Sequence, residues 1–443
     1  MTIARTFPRG GIHPEEHKEV TRKRHIWNAA IPSHCIVPLL QHAGAPAEAT
    51  VKRGDRVREG MLIGRATGSI SAHVHSPIPG VVTELRDLFL PSGVRSTAVV
   101  IRLEGEFDRL GKAPQRHEWA KLSRRELLGL IQEHGVVGMG GASFPTHLKY
   151  RLPRGRECTH LILNGCESEP YLSGEHRLMV EHPEEIVEGL QIAAAILRPD
   201  HVAVGIENNK PDAIAAVQRL VKERGLDVRV YPLKVKYPQG DEKQLVRAVM
   251  GEEIPSGGSP IDVGAVVSNV STVMALFEAV CLRKPVIERV VTVSGDAVAN
   301  PANLKVRIGT TIGELIQECG GLVKEAERIV CGGPMMGATI TDLSTPVTKD
   351  TSAVLALTAA EVHAGEETPC IQCGRCVRSC PMGLEPTLLY KLIDHREYAA
   401  SVENGLADCV ECGCCSYSCP ARIPLVEGMR SGKQVARTEG LLP

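Results

Sequence analysis

The sequence predicts a multidomain α/β chain. A β barrel-sandwich unit comes first, followed by a mainly parallel α/β domain, a small α+β module and a helical, cysteine-rich end. Three observations carry this reading. At 443 residues and 43% hydrophobic content, the chain is too long for one core and suits about three domains or more. The apolar pattern changes along it, from short runs punctuated by Gly and Pro to alternating strand and helix signals. Nine of its 15 cysteines lie between 370 and 419.

Composition narrows the function classes. A net charge of −1 gives no electrostatic case for nucleic acid. Aromatics are scarce at 3%, while 43 Gly and 29 Pro point to a loop-rich protein with glycine-dependent sites. The opening MTIARTFPRGGIHPEEHK lacks the apolar core of a signal peptide, and no run approaches the ~18–20 apolar residues of a membrane span. The expectation is a cytoplasmic, peripheral protein. Cys35, Cys158, Cys166, Cys281, Cys319 and Cys331 are scattered, as small buried residues of a reducing compartment would be.

Residues 1–29 are polar and irregular, an arm that packs on something else. Residues 30–105 read as short strands near 35–40, 57–63, 80–85 and 98–103. The turn-rich stretch VKRGDRVREG (51–60) resembles lipoyl and biotinyl carrier domains, which present a lysine at a hairpin tip. No lysine occurs between Arg53 and Val81, so the expectation is a barrel-sandwich scaffold without a carrier lysine. His73 and His75 alternate in SAHVHS, as metal ligands or, more ordinarily, as packing residues on a strand.

Residues 120–285 read as α/β. A helix over 124–134 leads into Gly138-Met139-Gly140-Gly141-Ala142-Ser143-Phe144-Pro145, with Lys149 beyond. This is no dinucleotide fingerprint, since Ser143 replaces the third glycine and a helix precedes the loop. Its backbone N–H groups suit an anion; the plainer reading is a glycine turn before a helix. A strand over 159–163 ends at Asn164, and Glu167 and Glu169 follow in a loop. They suit ligand contact at the edge of a sheet, or a solvated acidic turn. Helix 183–197, strand 201–206, helix 211–224 and strand 227–231 then make βαβ units. Tyr237-Pro-Gln-Gly240-Asp241-Glu242 opens a helix through 249, and Asn269 opens another toward 280.

Residues 286–340 form the small module, with strands at 288–294 and 304–308 and a helix at 311–319 behind a capping threonine. Residues 341–365 read as a linker with one apolar run. The segment 366–430 contains Cys370-x2-Cys373-x2-Cys376-x3-Cys380-Pro381 and Cys409-x2-Cys412-x2-Cys415-x3-Cys419-Pro420, with a helix over 386–393 between them. This is the bacterial two-cluster ferredoxin run written twice, in which the fourth cysteine ligates the other cluster. The expected sets are Cys370, Cys373, Cys376 and Cys419 for one [4Fe–4S] cluster, and Cys409, Cys412, Cys415 and Cys380 for the second. Zinc sites or disulfides need neither the third cysteine nor the Cys-Pro step. Cys414 breaks the x2 spacing and is expected to be a non-ligand neighbour.

Four motifs then coincide. The loop from Gly138 to Lys149, Glu167-Ser-Glu169-Pro170, Tyr237-Pro-Gln-Gly240-Asp-Glu242 and Val267-Ser-Asn269-Val270 resemble the NADH-oxidising flavin subunit of respiratory complex I. The module at 286–340 resembles the soluble-ligand-binding β-grasp (SLBB) domain that follows in that subunit. With the opening FPRGGIHP, the β domain and the paired cysteine runs, nearly the whole chain is similar to the C subunits of Rnf-type ion-translocating complexes.

The resemblance implies a complex-I-flavoprotein-like α/β domain between the barrel-sandwich hybrid and the β-grasp module, and a C-terminal two-cluster ferredoxin domain. It implies FMN, two [4Fe–4S] clusters and NAD(H) as substrate. Gly138, Gly140, Gly141, Lys149, Asn164 and Asn269 would surround FMN. Glu167, Glu169, Tyr237, Gly240, Asp241 and Glu242 would shape the flavin and nicotinamide pocket, with Glu167 and Glu242 as its catalytic carboxylates. Met139 stands where the complex I loop has arginine, and Cys166 where it has an acid.

The function implied is that of a peripheral electron-transfer subunit on the cytoplasmic face of the membrane. It would work with the membrane-embedded subunits of such a complex and indirectly with ferredoxin. The chemistry is coherent without the family: a hydride brings two electrons, a cluster takes one, and a flavin between them does both. The rival readings are a cobalamin reductase of a propanediol-utilising compartment and an electron-transfer scaffold with a degenerate flavin site.

Overall fold

The computed structural model describes residues 4–362 and 365–442. A short strand from the arm, β1 (Trp27–Asn28), precedes the first domain. That domain contains β2 (His34–Pro38), β3 (Glu48–Ala49), β4 (Arg56–Val57), β5 (Leu62–Arg65), β6 (Val74–His75), β7 (Gly80–Phe89) and β8 (Arg95–Leu103). They form two sheets, ordered β2-β8-β7-β4 and β3-β5-β6, closed over Val37, Ile63, Val74, Val82, Val99 and Ile101. Gly80 lets strands meet closely: a Cβ there would fall 2.0 Å from the Arg102 carbonyl oxygen. The His73 Nδ1 pairs with the Ala66 N–H at 3.0 Å, and His75 is buried. The two imidazole rings stand edge to face, 6.4 Å apart.

The α/β domain follows with α1 (Arg124–Glu133) and α2 (Thr146–Lys149), then β9 (His160–Gly165), α3 (Gly174–Glu181), α4 (Pro183–Leu197), β10 (His201–Glu207), α5 (Pro211–Glu223), β11 (Val228–Leu233), α6 (Glu242–Met250), β12 (Ala265–Asn269) and α7 (Val270–Cys281). The four strands are parallel in the order β11-β10-β9-β12. Side chains alternate across the sheet with period two. Leu161 and Leu163 of β9 face α4 and α7, while Ile162 faces α6 through Leu245, Val246 and Val249. Helices α4 and α7 touch backbone to backbone at Gly189, where a Cβ would lie 2.0 Å from the Val273 carbonyl oxygen. The strand order reverses between β9 and β12, and this reversal opens a crevice at their carboxyl ends.

The third unit comprises β13 (Glu288–Ser294), β14 (Ala302–Arg307), α8 (Ile312–Glu318), β15 (Arg328–Cys331), β16 (Ala338–Ile340) and β17 (Ala353–Leu357). Its sheet runs β1-β14-β13-β17-β15-β16. The expectation of a linker over 341–365 is therefore corrected. Ala353-Val-Leu-Ala-Leu357 is a central strand, buried at every position, parallel to β13 and antiparallel to β15. A run covered on both faces shows no alternation, so in the sequence it looks like an isolated apolar patch. The arm is likewise not separate, since β1 adds an edge to this sheet. Helix α9 (Ala359–Val362) follows, and residues 363–364 of the expected linker lie outside the described set.

The last domain has α10 (Arg375–Ser379), α11 (Pro386–Asp394), α12 (Tyr398–Glu403), α13 (Cys414–Tyr417) and α14 (Leu425–Thr438). It extends past the expected limit of 430, because α14 packs on α11, with Met429 beside Leu389 and Gly432 against Ile393. Among the described residues no helix is long and apolar enough to cross a membrane.

Candidate functional site: a flavin crevice beside two cysteine-lined cavities

The crevice is built from the ends of adjacent parallel strands. Asn164 of β9 and Asn269 of β12 are register partners. The Asn164 Nδ2 donates to the Gly240 carbonyl at 2.7 Å, and its Oδ1 accepts the Cys166 N–H at 3.2 Å. Asn269 caps α7: its Oδ1 accepts the Ser271 N–H at 2.8 Å, while its Nδ2 donates to Glu175 Oε1 at 2.6 Å. The glycine loop closes over this pair. A Cβ on Gly140 would lie 3.0–3.2 Å from the Asn269 side chain, and Gly141 has φ +112. Opposite, Lys149 Nζ pairs with Glu242 Oε1 at 2.6 Å, and Asp241 caps α6. Gly140, Asn269, Asn164, Gly240, Glu242 and Lys149 thus form one ring around the crevice, with the Gly140-Gly141 tip exposed. Gly138 anchors the base of the loop by donating its N–H to the Phe144 carbonyl at 2.8 Å.

Three expected pocket residues are engaged elsewhere. The Glu167 carboxylate accepts the N–H groups of Glu175 and His176 at 2.7 and 3.2 Å, the unsatisfied donors of the α3 N-terminus. The Glu169 carboxylate accepts the N–H groups of Met335 and Met336 at 3.0 and 2.9 Å, in the β-grasp unit. Tyr237 is buried, and its hydroxyl donates to the Cys412 carbonyl at 2.8 Å. The two departures from the complex I pattern point away from the crevice. Met139 is in the core under the loop, and Cys166 is buried between β9 and α6. Neither side chain takes up the role of the charged residue it replaces.

Sequence reasoning missed Glu175. It holds Asn269 in place, and burial pushes its carboxyl up to about 7, with the charge of Glu167 adding to the shift. The available signal was an acid in the first turn of a helix directly after the Glu167–Pro170 motif. Burial likewise pushes Glu169 up to about 7 and Asp241 to about 6.

The cysteine runs repeat in backbone as well as in spacing. Gln372 and Glu411 have φ 54 and 55, Gly374 and Gly413 have φ 67 and 77, and a short helix follows each pair. Two cavities result. One is bordered by Cys370, Cys373, Cys376 and Cys419, together with Ile371, Thr387 and Lys391. The other is bordered by Cys409, Cys412, Cys415 and Cys380, with Met382, Leu384 and Met429. Cys414 also borders the second, but its thiol is directed at the Tyr237 carbonyl, 3.9 Å away.

The two cavities differ in setting. Cys370 is exposed and Ile371 is 68% exposed, whereas Cys412 is buried against the flavin domain. Asp408 pairs with Lys243 at 3.5 Å and accepts the Gly257 N–H at 3.0 Å, and the Arg430 guanidinium donates to the Met336 carbonyl at 3.0 Å. The arm passes between the domains. The Gly11 N–H donates to the Ser379 carbonyl, and Ile12 exchanges both backbone hydrogen bonds with Tyr237 at 2.9 Å.

Four family models match in this order: the RnfC barrel sandwich hybrid domain over 6–106, the Nuo51 FMN-binding domain over 131–278, the SLBB domain over 290–339 and the 4Fe-4S dicluster domain over 365–422. A relative from Clostridium ljungdahlii, the C subunit of a proton-translocating ferredoxin:NAD(+) oxidoreductase complex, is 43% identical over 98% of this chain and 94% of its own. The chain belongs to the RnfC family, the C subunits of ion-translocating oxidoreductase complexes. Other members of the family are similar along nearly the same length. The Rhodobacter capsulatus RnfC-family protein, from an ion-translocating oxidoreductase complex, is 43% identical over 96% of this chain and 82% of its own. The C subunit of the Na(+)-translocating ferredoxin:NAD(+) oxidoreductase complex of Acetobacterium woodii is 38% identical over 98% of both. The fold is shared with an NAD+-reducing [NiFe]-hydrogenase in the H2-reduced state, at TM-score 0.51 and 16% identity, over 71% of this chain and 61% of that one.

The cofactors of this RnfC-family chain are FMN and two [4Fe–4S] clusters. The residues present fit them. The Gly140 cradle leaves no room for a side chain against Asn269, and two cavities each carry four soft thiol donors, the set that iron–sulfur clusters take.

Proposed function

We propose that this RnfC-family chain is the NAD(H)-facing, peripheral electron-transfer subunit of an ion-translocating ferredoxin:NAD+ oxidoreductase complex. It works on the cytoplasmic face of the membrane, with membrane-embedded subunits as direct partners and ferredoxin as an indirect one. The family shares the oxidoreductase activity, and relatives with proton- and Na(+)-translocating names match almost equally well. The observation that carries this reading is the contact between the loop bordering the flavin crevice and the more buried cysteine cavity, through Tyr237 and Cys412.

In this reading FMN, when bound, exchanges a pair of electrons with NAD(H) and single electrons with a cluster. The chain's own residues position it. Gly138, Gly140 and Gly141 let the loop backbone approach closely. Asn164 and Asn269 form the floor of the crevice, and Lys149 is held by Glu242 at its mouth as a point charge. Glu242 is the half-exposed carboxylate available to NAD(H). Glu167 acts at one remove, by fixing α3 and so Glu175 and Asn269. Cys409, Cys412, Cys415 and Cys380 hold the cluster next to the flavin domain. Cys370, Cys373, Cys376 and Cys419 hold the outer one, at the exposed edge where a partner subunit docks.

The test is isolation of the holoprotein with its complex, followed by flavin and iron analysis and NADH addition. About one FMN and about eight irons per chain are expected, with NADH bleaching the flavin absorbance. A chain that retains its iron but binds no flavin would be the scaffold. The RnfC-family relatives match through the arm and the β domain, so the cobalamin-reductase reading has no support of its own.

A further inference from the structure

We infer that Tyr237 is the positioning residue that couples the flavin crevice to the inner cluster, through its hydrogen bond to the Cys412 carbonyl, and that it is not a wall of the nicotinamide pocket. The inference rests on the proposed function and deepens it.

Tyr237 stands between the two centres by chain and by contact. Three residues on, Gly240 accepts the Asn164 amide at 2.7 Å in the crevice floor. In the other direction the phenol hydroxyl donates to the Cys412 carbonyl at 2.8 Å. The ring is 3% exposed and packs in one cluster with Ile12, Cys412 and Cys414. Its backbone is fixed from three sides. Ile12 of the arm pairs with its N–H and carbonyl, the Cys414 thiol is directed at the same carbonyl, and the hydroxyl is 3.5 Å from Glu169 Oε1. The hydroxyl thus has the Cys412 carbonyl as its nearer partner and Glu169 as its farther one, and Met335 of the β-grasp unit packs against the same apolar cluster. A tyrosine lining a nicotinamide pocket would present its ring to the crevice, and this ring is turned away.

The coupling needs no oxidation of the tyrosine. One electron leaves the flavin side and one arrives at the cluster, and the phenol keeps its proton throughout. Its contribution is a continuous path of covalent bonds and one hydrogen bond to Cys412, beside the Cys414 thiol contact to the Tyr237 carbonyl. The same hydrogen bond draws electron density from the Cys412 peptide and so favours the reduced cluster, as donors near cluster sulfurs do.

The test is Tyr237→Phe in the intact complex, which removes only the hydroxyl. Reduction is started by NADH in one arm and by light-driven flavin reduction in the other, with flavin and cluster absorbance followed separately. The expected result is normal flavin content, normal flavin bleaching by NADH, and cluster reduction slowed by about fivefold or more, the scale of one lost hydrogen bond. The inner-cluster potential, read by EPR-monitored titration, shifts to a more negative value. Wild-type cluster kinetics and potential in the variant would overturn the inference. So would loss of flavin or of NADH bleaching with cluster steps intact, which would return Tyr237 to the pocket. If NADH bleaches neither protein, the proposed function fails, and the light-driven arm still tests Tyr237.

Discussion

Asn164 and Asn269 lie opposite each other at the carboxyl ends of neighbouring parallel strands, and both amides are locked in orientation, one by Gly240 and Cys166, the other by Glu175 and the first turn of α7. A rigid polar floor at the point where strand order reverses is what a cofactor site in an open parallel sheet requires. The glycine loop above it has space for backbone only.

Gly140→Val tests that fit. The added side chain enters the 3.0–3.2 Å space against Asn269 and must displace it. FMN affinity of the flavin-free protein should fall by about tenfold or more, read by quenching of free FMN fluorescence. Gly140 itself is exposed, so the stability cost should be that of the displaced Asn269 cap, about 0.5–2 kcal/mol in a chemical melt.

Cys380→Ser tests crossed ligation. The variant should keep about four of about eight irons, and the lost EPR signal should be that of the inner cluster. Cys419→Ser should spare the inner cluster and lose the outer one. Loss of the same cluster in both variants would mean that each run closes on itself.

Gly10→Ala tests the arm. Gly10 has φ +59, and a Cβ there would lie 2.3 Å from the Cys380 carbonyl oxygen. Displacement of the arm should cost about 1–3 kcal/mol in a chemical melt. The inner cluster should bleach faster in air than in the wild type, and the outer one at the same rate.

Glu175→Gln tests a buried acid. The folded group titrates near 7 against an ordinary 4.5, so between those values the native state binds more protons than the unfolded chain. Stability contributed by this group is therefore lost as pH rises from 4.5 through 7. Glutamine keeps an acceptor for Asn269 and removes this group's share of the slope, leaving the shares of Glu169 and Asp241. At pH 8 the variant should be more stable by about 1–3 kcal/mol, measured by melts from about pH 5 to 8.

Lys349→Met tests the opposite sign. Lys349 is fully buried and donates to the His73 and Gly135 carbonyls at 2.7 Å each, tying the barrel, the flavin domain and the β-grasp unit together. Burial lowers its ammonium to about 7 from 10.5, so the unfolded chain binds the extra proton in that interval and wild-type stability rises with pH across it. The variant should lack this rise. Melts from about pH 7 to 10 measure that difference in slope.

Domain order and the cysteine runs were legible in the sequence because both rest on spacing, which survives folding unchanged. Gly140, Asn164, Gly240 and Asn269 are marked by periodicity only as strand ends and turns, and it is the resemblance to the complex I flavin subunit that groups them around a cofactor. The direction in which side chains turn was not legible. Glu167, Glu169 and Tyr237 share one stretch of motif with pocket residues, yet each is claimed by a partner outside that motif: α3, the β-grasp turn and Cys412. Strand β17 stayed hidden because a strand covered on both faces has no alternation to detect. Glu175 carried only a weak signal, since first-turn acids are common for helix-dipole reasons alone.

The arm has a consequence for the order of assembly. Its residues leave the ribosome before the rest of the described chain, and domains fold as they emerge. Yet Gly10 and Gly11 meet Cys380 and Ser379, contacts of very long sequence separation, and Ile12 meets Tyr237. The arm has partners in the flavin domain, Arg5 with Pro232 and Lys234 and Ile12 with Tyr237, but the contacts of Gly10 and Gly11 are completed only when the last domain is made. A chain cut short before Cys370 would leave Ile12 and Tyr237 without part of their cover, exposing apolar surface of the kind chaperones and proteases act on. The contact that completes the arm is therefore supplied last, by the domain that carries both clusters.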